Sequence, residues 1–121
     1  MPLENVLAFV AERESPALEI RVNFGVFAAR EATPAEIDEL GKILLPKVGG
    51  EVSIIREERH ELSEHTEVSL QQVRIEVDAD HVPANPVERA ELAGRLLETA
   101  ERWADACFAD RHVEVDAYSE P

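Results

Sequence analysis

Histidine, glutamate and serine crowd into one short stretch, His60-Glu61-Leu62-Ser63-Glu64-His65. Imidazoles and carboxylates at such spacing can bind a transition metal or pass a proton. A helical zinc-hydrolase pattern would need histidine where Glu64 stands, or at position 61 in the inverse order. Both patterns also need a helix to bring their ligands onto one face. The flanking residues alternate instead, which puts the stretch at a hairpin tip. If Val52 faces Ile75 and Ile54 faces Val73, then position 60 faces 67 and position 62 faces 65. His60 and His65 become diagonal neighbours, with Glu67 the nearest third donor for a metal. A tight zinc site takes three or four ligands, so a solvated turn is the simpler expectation.

Two arginines offer a different chemistry. Arg21 and Arg74 fall on neighbouring strands and on the same sheet face, where they could contact an anion. Glu19, Glu76, Glu114 and Asp116 share that face, so a cross-strand ion ladder is expected to absorb both. Asp78-Ala79-Asp80-His81 has carboxylates without calcium-loop spacing and reads as a turn. Cys107 lies on an apolar helical stripe, with no basic group one turn before it. It is expected to pack as a small hydrophobe rather than act as a nucleophile. No glycine-rich phosphate loop, nucleophile elbow or Cys-x-x-Cys is present, and no cofactor is implied.

These residues must be positioned by a small number of elements. Leu3, Val6, Leu7 and Val10 have helical spacing, which predicts an amphipathic helix over residues 1–15 that ends at Ser15-Pro16. Leu18, Ile20, Val22, Phe24, Val26 and Ala28 alternate, which predicts a central strand from Leu18 to Ala28. Thr33-Pro34-Ala35-Glu36 spells a capping box, and Ile37, Leu40, Gly41 and Leu44 give that helix its buried face. Pro46 and Gly49-Gly50 should stop it. A second strand starts near Glu51 and a third runs from about Thr66 to Asp78. The apolar residues of the third change phase at Gln71-Gln72, which predicts either a β-bulge or a change of buried face. Asn85-Pro86-Val87-Glu88 caps a long helix to about Ala109, and a last strand is expected over His112 to Tyr118.

After the first helix the order β-α-β-β-α-β resembles the ferredoxin-like fold. That resemblance covers about residues 18–119, rests on topology, and carries no function. It implies an α+β two-layer sandwich in which an antiparallel sheet of order 4-1-3-2 carries both helices on one face. The chain is then one domain over 1–121, with an N-terminal helix (1–15) and a ferredoxin-like core (17–119).

Composition limits the partners. Twelve lysines and arginines stand against 26 aspartates and glutamates, for a formal net charge of −14. Such a field repels nucleic acid and anionic membranes and favours basic proteins or cations. One cysteine, no signal-peptide pattern and no long apolar run point to a soluble cytoplasmic protein. With regular pairing in the hairpin, Ile55, Val68 and Leu70 fall on the face away from the helices. The leading expectation is therefore a non-enzymatic, protein-binding or self-assembling module. It would form a homodimer through the 51–78 hairpin and the open sheet face. The alternatives are a small enzyme or metal-binding protein using the 60–67 tip or that sheet face, and a neutraliser of a basic, toxin-like partner.

Overall fold

The computed structural model describes residues 6–11, 17–50, 52–62 and 67–119, and for 59–62, 67–69 and 110–119 the backbone alone. Its elements are β1 (Ala8–Ala11), β2 (Leu18–Val22), α1 (Phe24–Ala28), α2 (Pro34–Val48), β3 (Ser53–Leu62), β4 (Glu67–Val77) and α3 (Pro86–Ser119). A 3₁₀ turn, Ala79–His81, precedes α3. The four strands form one antiparallel sheet in the order β1-β2-β4-β3.

This is an α+β chain, but the sheet departs from the expected 4-1-3-2 order. The inner arrangement, with β4 between β2 and β3, is as expected. The place beside β2 belongs to β1, from the N-terminal segment, and not to a C-terminal strand. The expected N-terminal helix is thus replaced, over its described part, by a strand. Ala8-Phe9-Val10-Ala11 is a short apolar run, which periodicity alone cannot assign. What decides it is the open edge of β2. Backbone pairing from Ala8–Val22 to Ala11–Glu19 satisfies that edge. Beyond it, the Asn23 amide donates to Leu7 O at 2.8 Å and the Asn23 side-chain amide to Val6 O at 2.7 Å.

The expected last strand, 112–118, is instead the continuation of α3. Between Val87 and Ser119 there is no proline and only Gly94 to weaken a helix. Extending a formed helix fixes one residue per hydrogen bond, whereas a new strand needs a free sheet edge. β1 holds the edge of β2, so that route is closed.

The expected strand 18–28 stops at Val22, and Phe24–Ala28 turns into the single-turn helix α1. Phe24 and Ala28, four apart, are buried, while Val26 and Phe27 are exposed. Gly25 permits the bend: a Cβ there would stand 2.4 Å from the Gln71 backbone nitrogen.

Both long helices start where capping residues place them. Thr33 Oγ1 accepts from the Glu36 amide at 3.1 Å, and Glu36 Oε1 accepts from the Thr33 amide at 2.9 Å. Asn85 Oδ1 accepts from the amides of Val87 and Glu88 at 2.8 and 3.2 Å. The first helix runs through Pro46 and ends at Gly49, whose φ of 80° closes it in the left-handed region. A proline in the last turn removes only its own N–H bond, so the helix tolerates it.

The core lies between the sheet and the helices. Ile20, Val22, Val73, Ile75 and Val77 meet Phe24, Leu40, Leu44, Leu96, Ala100 and Trp103, all buried. The hairpin pairs Ile54 with Ile75, and Ile75 with Ile20, so three isoleucines form one row across the sheet. Ile54 therefore faces Ile75, where Val73 was expected, a slide of two residues that leaves every side chain on its expected face.

Candidate functional site

Three regions carry polar or exposed apolar groups that the core does not use. The first is the sheet face turned away from the helices. Its residues stand in rows set by the register. Arg21 pairs with Arg74, and Glu19 with Glu76. Two like-charged rows side by side are tolerable only if charge alternates along the strands. It does. Arg21 Nε donates to Glu19 Oε2 at 2.7 Å, and Arg74 lies 3.2 Å from Glu57 Oε2 and 3.9 Å from Glu76 Oε2. Both arginines proposed as anion contacts are thus engaged by carboxylates of this chain. Beside this lattice Gln72, only 2% exposed, donates to Asn23 Oδ1 at 2.8 Å.

The second region is the β3–β4 hairpin. Its pairing is regular from Ser53–Glu76 to Leu62–Glu67, with no bulge at Gln71-Gln72. The change of apolar phase is met by burying the two glutamines. Gln71 Oε1 accepts from the Ala32 amide at 2.7 Å on the helix side, and Gln72 bonds Asn23 on the other. Ile55 and Leu70 consequently share the face of Arg74 and Gln72, both half-buried. Val68 pairs with Glu61 further along the ladder, and its side chain lies outside the described residues. β2 accompanies β4 only over Val73–Val77, so the hairpin beyond Gln72 is a two-stranded arm.

The metal candidates fall at the end of this arm. The backbones of His60 and Glu67 pair with Ser69 and Leu62 respectively. His65 and the side chains of His60 and Glu67 lie outside the described residues. Among the described residues no three His, Cys, Asp or Glu side chains stand together as metal ligands.

The third region is one that sequence reasoning missed, a groove of about 620 Å³ between α2 and α3. Ala35, Glu39, Ile43 and Lys47 line one side, and Thr99, Arg102, Trp103 and Ala106 the other. At one end a latch joins three elements. Arg30 grips Glu36 through two bonds of 2.7 and 2.8 Å, and also donates to Cys107 O at 3.3 Å. Its guanidinium stands 5.4 Å from the centre of the Phe24 ring. Trp103 Nε1 donates to Glu36 O at 2.9 Å. The Arg30 hydrogen bonds hold the Glu36 carboxyl at about 2, well below its usual 4.5. The i,i+4 spacing of Ala35, Glu39, Ile43 and Lys47 was legible, but the α2–α3 packing that makes it a wall was not.

Comparisons with protein-family models, curated proteins and solved structures returned no match for this chain. Among the described residues no helix is long and apolar enough to cross a membrane.

Proposed function

We propose that this chain is a non-enzymatic protein-binding module that assembles with a second copy of itself through the β3–β4 arm. The observation that carries the reading is the uninterrupted ladder from Ser53–Glu76 to Leu62–Glu67. A bulge at Gln71-Gln72 would have turned Leu70 toward the core. Regular pairing leaves Leu70 and Ile55 on the outer face. The arm also outruns the sheet, and a lone two-stranded ribbon is marginal in water. Beside its base, α1 exposes Val26 and Phe27 at 42% and 44%. Covering one such side chain is worth about 1.5–3 kcal/mol, and a twofold dimer is the commonest way to cover a surface of this kind.

The test is light scattering on the wild type and on Leu70→Asp, with circular dichroism to follow folding. The wild type should be larger than a monomer at tens of micromolar, a dimer through the arm alone or a larger species where another surface also associates. Leu70→Asp should be a folded species of lower mass. Ile55→Ser, a milder change on the same face, should weaken assembly in the same direction. A monomeric wild type, or both variants keeping the wild-type mass, overturns the reading.

A further inference from the structure

The α2–α3 groove is a second surface, on the helix layer, and its charges have a definite order. Of the five residues along its α2 side, Glu36 belongs to the latch; of the other four, Ala35 is small, Glu39 is acidic, Ile43 is apolar and Lys47 is basic. Spaced by four, they lie along one side of the helix. The other charged residues lining the groove are engaged: Glu36 by Arg30, and Arg102 by Glu98 at 2.5 Å. Among the described residues Glu39 and Lys47 enter no ion pair. Each stands about 6 Å along the axis from Ile43, on opposite sides of it.

A row reading acid, aliphatic, base is its own complement when turned end for end. A twofold contact demands this of a surface, because the same patch must serve on both subunits. Rotation about an axis through Ile43 sets Ile43 on Ile43 of the other copy and Glu39 on Lys47 at both ends. Ala106, on the α3 side, leaves room for close helix approach. The pairing also matters electrostatically. Two subunits of net charge −14 repel, so any electrostatic attraction must come from the few places where a base meets an unengaged acid.

We propose that the α2–α3 groove receives α2 of a second copy, antiparallel and centred on Ile43, with Glu39 of each copy paired to Lys47 of the other. The contact goes beyond the arm interface, because it uses a different surface and gives each subunit two faces for assembly.

The charges can be exchanged to test it. In the Leu70→Asp background the groove contact should hold a dimer by itself. Adding Lys47→Glu, or adding Glu39→Lys, turns two attractions into two repulsions and should raise the dissociation constant at least about tenfold. Mixing the two charge variants restores both attractions in the heterodimer, and the mixture should regain the dimer mass by native mass spectrometry. The same series in the wild-type background should remove one association step and recover it on mixing, which serves if Leu70→Asp does not fold. The inference fails if neither charge variant changes association, if mixing does not rescue it, or if the Leu70→Asp protein is folded and monomeric. Failure of the arm reading looks different: Leu70→Asp then leaves the wild-type mass unchanged while the charge series still acts.

Discussion

Glu36 shows how one side chain can tie a small fold together. Its carboxylate receives both guanidinium bonds of Arg30 and closes the cap of α2, while its carbonyl receives the indole N–H of Trp103. The Arg30 bonds lower its pKa from 4.5 to about 2, which after solvent screening of this part-exposed pair corresponds to about 1–2 kcal/mol of linked stability. The folded carboxyl is more acidic than the unfolded one. This contribution is therefore complete above about pH 4.5 and is lost as pH falls toward about 2. Glu36→Gln should be less stable than the wild type at neutral pH. The gap should close on acidification across that window, as read from urea midpoints at a series of pH values. A constant gap down to pH 2 would show that the stability comes from the cap alone.

At the scale of elements, the decisive contact is α1 against β4. Phe24 and Ala28 go inward, and Gly25 lets the helix backbone approach the strand at Gln71. An added Cβ would meet backbone, which cannot swing aside as a flexible side chain would. Gly25→Ala should therefore destabilise the fold by about 1–3 kcal/mol, the usual range for overpacking. If α1 detaches to absorb the clash, the protection of the Gln71 and Gln72 amides in hydrogen exchange should fall with it. An unchanged denaturation midpoint would refute the tight approach. The same region explains the abrupt end of β2, since the chain must leave the sheet for Phe24 to reach Trp103 at a ring separation of 5.3 Å.

For the whole molecule, charge sets the conditions of assembly. With a net charge of −14, two subunits meet against a long-range repulsion that salt shortens to about 8 Å at physiological strength. If apolar contact through Ile55 and Leu70 dominates, raising salt from low to physiological strength should tighten self-association. The groove pairs should respond in the opposite sense, because screening weakens each Glu39–Lys47 attraction. Light scattering of the wild type and the Glu39→Lys variant across a salt series separates the two. The wild type should show the weaker net gain with salt, and the variant the stronger. Identical salt curves would mean that Glu39 takes no part in assembly.

Local patterns determined the helix caps at Thr33 and Asn85, the hairpin, the alternation of Leu18, Ile20 and Val22, and the buried stripe through Leu96, Ala100, Trp103 and Cys107. These are short-range features, in which the residues that make the signal also make the structure. The ends of the chain were different. Ala8–Ala11 has no strict period, and 112–118 alternates like a strand, yet the first became β1 and the second part of α3. The open edge of β2 accepts one partner, and a strand closing that edge satisfies backbone groups that no local pattern reveals. The groove and its acid–aliphatic–base row also waited on the fold. Glu39, Ile43 and Lys47 are adjacent on any helix, but α3 alone made them the wall of a groove. Which side of a helix is left unpartnered is a property of packing between elements, and it was decided by the tertiary structure.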